Sequence, residues 1–532
     1  MVAMIASLAI LPLLFLWKLL FTNRILVGLD AFNYFYPYHD FAATALGAGH
    51  LPLWNPHLFL GVPFLADSQA QLLYPPNWPL LWFSAPSALN LSIALHLVVA
   101  AIGTWLLARR ALRLQASAAW VAATVFALGG YVGSQAEHPN QLAAASWLPW
   151  LLLGVSGAQR RPWCGVLLTA VTLALSFLAG HAQTTVISVA ALALWVLGSW
   201  ATAALERLTR PPGIAQERTD DGGRRTDGEC HAETQRRQDA RLGYVDARGH
   251  ARGAAAITLG ALLAVALAAA QLVPTAELSA LSVRAAGLSY REAVSFSYDP
   301  RLWPRTLLPT FGSDTRVLSE FVAYVGFSGA LLGLLGLLFA WRRPGGLAAV
   351  LLSASGLFLA PAVINPLYPL LWRLVPGFAL FRAPARWLLL YALGSAILAG
   401  LGAGWLLAKS GTMPRSAWLR LGSGTLLAMA AAGLSLVVAD LPARGVLTWW
   451  FLAVAGALAL LVLPRFPVAL RVPVLMLVVG GELLLASRAL DYNKATAPEA
   501  YSALRPAPAH LLTMRPPAGQ SRLLSLSDLT WD

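Results

Sequence analysis

ILVGLDAFNYFYPYHDFAATALGAGHLPLWNPHLFLGVPFLADSQAQLLYPPNWP runs from Ile25 to Pro79 and follows at once on the apolar run MVAMIASLAILPLLFLWKLLF. Prolines stand at 37, 52, 56, 63, 75, 76 and 79, which rules out one long regular helix but stiffens the backbone. Trp54, Tyr74 and Trp78 are side chains suited to headgroup depth. A segment this aromatic and proline-rich, beside an apolar run, reads as a structure at a bilayer edge and not as a solvated loop. An aromatic belt does not account for Asp30, Asn55, Asp67, Gln69 and Gln71 in the same stretch. Polar side chains beside a bilayer need partners or a task.

The rest of the chain supports a membrane setting. Of 532 residues, 58% are hydrophobic and 12% charged, far from the balance of soluble domains. Apolar runs predict an all-α polytopic membrane protein of about 13 transmembrane helices, at 3–22, 89–108, 116–134, 141–157, 163–180, 183–204, 253–273, 323–340, 346–364, 387–407, 421–439, 445–463 and 472–487. The N-terminal run has no basic start and no convincing cleavage site, so it reads as a retained first span. Two cysteines, Cys164 and Cys230, make no disulfide framework.

Sidedness follows from charge. Basic clusters at Arg109–Arg113, Arg160–Arg161, the 206–252 loop, Arg342–Arg343, Lys409–Arg420 and Arg465–Arg471 all fall on one side of a thirteen-span chain with its N-terminus inside. The positive-inside rule makes that side cytoplasmic. It also explains the net charge of +14 without nucleic acid. Lys18 and Arg24 dissent at the far end of the first span, where Lys18 can snorkel to headgroups. The expected domain layout is a transmembrane domain over 1–490, with a first extracytoplasmic loop at 23–88 and a disordered cytoplasmic loop at 206–252. An extracytoplasmic tail over 491–532 is expected, either the start of a truncated soluble domain or a naturally short end.

Within the first loop, Pro37 predicts the first turn of a new interfacial helix ending near Gly47. Tyr38, Phe41, Ala42, Ala45 and Leu46 form its apolar stripe, expected to face lipid. Candidate site residues gather on the outer side. Asp30 and Asp67 are the candidate catalytic carboxylates. Asn55, Gln69, His181, Glu277, Arg284, Arg382 and Arg386 are the candidate substrate-binding groups. Arginines on the side that the positive-inside rule disfavours suit phosphate. Asp30 is expected to share a cleft with at least one of Glu277, Arg284, Arg382 and Arg386. His39, His50 and His57 match no standard metal spacing. No metal site or cofactor is assigned, and a divalent ion is left open.

The loop motif GLDAFNYFYPYHDFAATALGAGHLPLWNPHLFLGVPFLADSQAQLLYPPNWP resembles the first outer loop of YfhO-type bacterial membrane proteins. GHAQ, QLVPTAELS, LLPTFGSD, YVGFSGALLGLLGL and FRAPARW follow in the expected order, so the resemblance covers about residues 20–490. It implies a GT-C class glycosyltransferase of the bacterial cytoplasmic membrane. Such an enzyme moves a sugar from a polyprenyl-phosphate carrier to a cell-envelope glycan or glycoconjugate on the outer side. The family's acidic position carries over to Asp30 alone, as base or acceptor-orienting group, with outer basic residues on the donor phosphate. The 206–252 insertion and the short tail depart from the family pattern. Two rivals stand beside this reading. A lipid or sugar transporter or flippase would place ionisable groups mid-membrane, where only Glu482 falls. A non-catalytic envelope-assembly protein would need no converging carboxylates and arginines.

Overall fold

The computed structural model describes residues 2–28, 30–158, 160–209, 247–302, 319–409, 422–423, 444–487 and 495–503. The expected span 421–439, most of the 206–252 loop, Cys230 and the tail past 503 lie outside them. The chain is helical. Strand pairing among the described residues amounts to two short antiparallel pairs, Ile25–Leu26 with Ala495–Thr496 and Trp54–Asn55 with Val62–Pro63.

Among the described residues six helices are long and apolar enough to cross a membrane, by length and composition: Ala85–Arg110, Ala116–Glu137, Ala182–Leu205, Arg252–Ala280, Pro384–Ala408 and Val468–Ala486. Val2–Phe15, Pro162–Leu178, Phe327–Phe339, Gly346–Leu359 and Phe451–Arg465 are apolar but shorter. The expected count of thirteen is higher than this, partly because some apolar runs are broken. The run expected at 141–157 is two helices, Pro139–Ser146 and Leu148–Ala158. Pro149 at the start of the second has no N–H to extend the first.

The helix Leu388–Ala408 occupies the centre. It meets Phe327–Phe339 and Gly346–Leu359 backbone to backbone. A Cβ on Gly402 would lie 1.8 Å from the Leu332 carbonyl oxygen, and one on Gly394 would lie 2.4 Å from Ser353 Oγ. Where the solvent is lipid, no apolar driving force draws helices together. Small residues that allow this approach do that work instead. At the perimeter the balance reverses. The most apolar stretch of Ala116–Glu137 is 94% buried, against 28% for Arg252–Ala280.

Glu482, buried within Val468–Ala486, reaches across to the N-terminus of Phe327–Phe339. It accepts the Tyr324 hydroxyl at 2.6 Å, the Ser328 N–H at 2.9 Å, the Ser328 hydroxyl and the Phe327 N–H. Four donors therefore satisfy a carboxylate that would otherwise be isolated among apolar helices, and two of them are helix-end N–H groups with no partner inside the helix.

Connecting segments sort to two ends. At one end, Arg109 donates to Leu114 O, and Arg471 donates to the Lys409 and Pro464 carbonyls. At the other end the 23–88 segment meets the loops near 135–141 and 179–180 and residues 495–503, and those loops join 319–320 and 382–386.

Two local expectations about the 23–88 segment need refinement. Pro37 lies in the first turn of the helix Tyr36–Gly47, as expected, but that helix is not a fresh start. The backbone is already helical at Asp30, passes through a π-turn over Ala31–Phe35 and continues as Tyr36–Gly47. The Tyr36 N–H bonds back to Ala31 O, five residues away. A widened turn before the proline makes room for its ring and absorbs its missing donor. Nor does the aromatic stripe face lipid. Tyr38, Phe41, Ala42 and Leu46 pack on Phe64 and Leu72, so the segment folds over them as a small core of its own. Tyr74 pins that core to the bundle. Its hydroxyl meets His96 Nε2 at 2.7 Å and accepts the Trp147 indole N–H at 2.8 Å. His96 Nδ1 lies 2.6 Å from the Ser92 carbonyl, which can only accept. Nδ1 therefore carries the proton, and Tyr74 donates to Nε2.

Candidate functional site

Asp30 begins the helical stretch that follows the first apolar run. Its carboxylate is 54% exposed, and His138 Nε2 stands 3.6 Å from Oδ2. That is within ion-pair range but beyond a hydrogen bond. His138 lies at the turn before Pro139–Ser146, and its Nδ1 is 3.3 Å from Ser319 Oγ. The Ser319 carbonyl in turn accepts the Ser134 hydroxyl at 2.6 Å.

Next along the chain from Ser319, Glu320 forms the best-enclosed ion pair of this end. Arg386 Nε and Nη2 both lie 2.7 Å from Glu320 Oε1, with side chains 18% and 8% exposed. Arg386 Nη1 donates to Gln183 Oε1 at 2.6 Å, and Gln183 Nε2 donates to the Arg382 carbonyl at 2.6 Å. Tyr131 closes the ring by donating to Arg386 O. His181 caps the helix Ala182–Leu208, its Nδ1 accepting the Thr184 N–H at 3.2 Å. Nδ1 is thus an acceptor, and the proton of the neutral ring sits on Nε2. Burial holds His181 well below the ordinary histidine range, and the charges of Arg386 and His138 push it further down. This electrostatic coupling groups Arg386, His138 and His181 in one rim, with Asp30 at its exposed edge.

Asp67 has a different setting. Tyr34 donates to its Oδ2 at 2.6 Å and the Gln69 N–H to its Oδ1 at 3.0 Å. It is the N-cap of the short turn Ser68–Ala70. Burial raises its carboxyl above the usual range, and these hydrogen bonds pull it partly back. Burial and the Asp67 carboxylate likewise push the Tyr34 phenol up. Gln69 meets Asn140 Nδ2 at 3.3 Å, and the same Asn140 reaches toward the Gly180 carbonyl. Gly180 has φ +83°, and a Cβ there would strike the Ser68 carbonyl at 2.4 Å. Glycine in GHAQ is therefore required both by conformation and by the seat of the first loop upon it.

Of the expected site residues, His181 and Arg386 belong to the rim, Asp30 touches it through His138, and Asp67 and Gln69 lie beside it through Asn140. Arg382 is exposed, its guanidinium 5.7 Å from the centre of the Phe296 ring. Asn55 is buried and accepts the His57 N–H at 2.9 Å, holding its own turn. Glu277 and Arg284 are exposed, with no contact to Asp30 among the described residues. His138, Gln183 and Glu320, outer polar groups of SQAEHPNQ, GHAQ and the 274–322 loop, complete the rim with Ser319, although none of the four stands among the assigned site residues. The polar run SQAEHPNQ between two apolar runs was the signal for His138. Among the described residues no three His, Cys, Asp or Glu side chains gather as a metal site.

No protein-family model matches the chain, and no curated protein matches its sequence. Solved structures do resemble it. ArnT from Cupriavidus metallidurans bound to undecaprenyl phosphate aligns at 13% identity over 92% of this chain and 77% of that one, with a TM-score of 0.46. The arabinofuranosyltransferase AftD from Mycobacteria aligns at 16% identity over 83% of this chain, with a TM-score of 0.44. The archaeal oligosaccharyltransferase AglB from Archaeoglobus fulgidus, in complex with an inhibitory peptide and a dolichol-phosphate, aligns at 15% identity over 82% of this chain and 55% of that one, with a TM-score of 0.39. The chain spans 27% of the length of AftD. At these scores the likeness is one of helical arrangement.

Proposed function

We propose that this chain is a multi-pass glycosyltransferase of the bacterial cytoplasmic membrane. It moves a sugar from a polyprenyl-phosphate carrier to a cell-envelope glycan or glycoconjugate. In this reading residues 1–490 form the membrane domain, the N-terminus faces the cytoplasm, and the Asp30 rim and the C-terminus face outward. The observation that carries it is the state of Asp30. Among the described residues it alone of the carboxylates of this rim is more than half exposed and held by no short hydrogen bond, and the His138 imidazole stands 3.6 Å from it. The resemblance of the surrounding loop motif to the GT-C class points to the same residue.

The chemistry then balances as follows. Asp30 takes the proton of an acceptor hydroxyl as that oxygen bonds to the anomeric carbon. The bond from that carbon to the carrier phosphate breaks, and the phosphate leaves with the electron pair. A cation beside the phosphate gains strength as this charge develops. Arg386 is already committed to Glu320 and Gln183, so it sets the shape and potential of the rim. The Arg382 side chain is exposed and meets the Phe296 ring among the described residues, so it is assigned the phosphate. The transporter reading loses its mid-span carboxylate, because Glu482 is fully occupied as a helix cap.

Transfer from defined polyprenyl-phosphate sugars by purified protein in vesicles is the test. Asp30→Asn keeps size and loses charge, so turnover falls by roughly 10²–10⁴-fold with little change in donor affinity. Turnover within about threefold of the native protein, far below any acid–base contribution, removes Asp30 from the chemistry.

A further inference from the structure

The short strands Trp54–Asn55 and Val62–Pro63 form a hairpin whose tip is unusual. The Gly61 N–H bonds to the Leu58 carbonyl at 2.6 Å, closing a four-residue turn. Its two central residues, Phe59 and Leu60, have φ of 45° and 68°. Positive φ at both central positions is the pattern that hairpins normally fill with Asn-Gly, which adopts it without strain. Here two bulky apolar residues are held in it, and their side chains are 91% and 77% exposed. In water this arrangement is unfavourable twice over, in backbone strain and in apolar exposure.

The surroundings point to one occupant. No Lys, Arg, Asp or Glu occurs between Asp40 and Asp67. Leu51, Leu53 and Trp54 are 53%, 58% and 54% exposed. The Trp54 ring lies on Gly61, so close that a Cβ there would come within 2.5 Å of its indole nitrogen. The hairpin base is fixed to the perimeter of the bundle. Gln271 and Thr275 on Ala247–Ala280 donate to the Leu65 and Ala66 carbonyls at 2.7 and 2.8 Å. Beside them Val265, Leu267 and Val273 are 59%, 58% and 67% exposed. The tip therefore extends an apolar perimeter already read as facing lipid.

We propose that Phe59 and Leu60 form an apolar finger that inserts into the bilayer leaflet adjoining the 23–88 segment. Burial in acyl chains offsets both unfavourable terms, and Trp54 sits behind the finger at headgroup depth. This inference rests on the membrane reading of the chain and not on the transferase chemistry.

The test uses the full chain with Cys164→Ser and Cys230→Ser, reconstituted in phosphatidylcholine–phosphatidylglycerol vesicles. A nitrobenzoxadiazole label is placed at Phe59→Cys and, in a separate protein, at Leu60→Cys. An exposed position of the same segment, His50→Cys, is the comparison. Both tip labels are expected to emit further to the blue than the His50→Cys label and to be quenched at least about twofold more by lipids doxyl-labelled high on the acyl chain. The two positions give independent readings if one variant folds poorly. Aqueous emission with quenching no greater than at His50→Cys overturns the proposal. So does a blue shift that vanishes on diluting protein into more lipid, which assigns the tip to a second copy of the chain.

Discussion

Asp30 and Asp67 lie in one segment, 37 residues apart, and both read from sequence as candidate catalytic carboxylates. Their settings differ. Asp67 is half-buried, hydrogen-bonded through both oxygens and placed as the cap of a turn. Asp30 is exposed and has only a loose histidine neighbour. A carboxylate whose acceptor sites are filled holds structure. One whose sites are open can take a proton from something that arrives. Residue type and bilayer-edge position are common to both, so neither could separate them.

The contrast can be broken most sharply by paired substitution. Asp30→Asn lowers transfer by roughly 10²–10⁴-fold with the fold intact, whereas Asp67→Asn lowers it by less than about 10²-fold, below acid–base action. Equal loss in both would erase the distinction. Next in size is Arg386→Ala, which strands the buried Glu320 carboxylate and costs about 3–5 kcal/mol of stability. Arg386→Ala/Glu320→Ala regains much of that loss if the pair is the cause, as thermal unfolding in detergent reads out. Asp67→Ala is a smaller change. It leaves the Tyr34 hydroxyl and the Gln69 N–H unpaired at about 1–3 kcal/mol, seen as faster amide exchange across 64–72.

His181 gives the smallest effect and a sign that can be checked. Its folded-state pKa lies below the ordinary value of 6.5. Its stabilising contribution is therefore complete above that value and declines as pH falls beneath it, because the unfolded chain takes up the proton first. Between about pH 7.5 and 5.5 the native protein loses stability with a slope of up to about 1.4 kcal/mol per pH unit from this residue. His181→Asn keeps a cap acceptor and flattens the profile. An unchanged slope would place the histidine outside the buried rim.

Much of the helical architecture was legible because a bilayer forces backbone hydrogen bonds inside each apolar run. The separation of basic clusters from the 23–88 segment along the chain was legible for a related reason, that positive charge is expected on one side of a membrane. Legibility stopped where the answer depended on a partner distant in sequence. Nothing in FRAPARW says that Arg386 is neutralised by Glu320, 66 residues away. The stripe through Tyr38 and Phe41 has the same spacing whether it faces lipid or Phe64. Pro37 gives no local sign that a π-turn will absorb it. Asp30 was singled out because its position after the first apolar run is itself a sequence feature. SQAEHPNQ marked His138 as an outer polar group, but the partners that give it a role are visible only in the fold.

Glu482 gives the chain a schedule. The N–H groups of Phe327 and Ser328 leave the ribosome more than 150 residues before the carboxylate that receives them. Until Val468–Ala486 arrives, Phe327–Phe339 waits without the carboxylate that receives these N–H groups. Glu482 must likewise enter the membrane on a helix that has no answer to its charge until it docks. The two halves of this contact each make the other's insertion tolerable. The late helix therefore completes the early one, and the bundle is locked by its last-made contacts and not by its first.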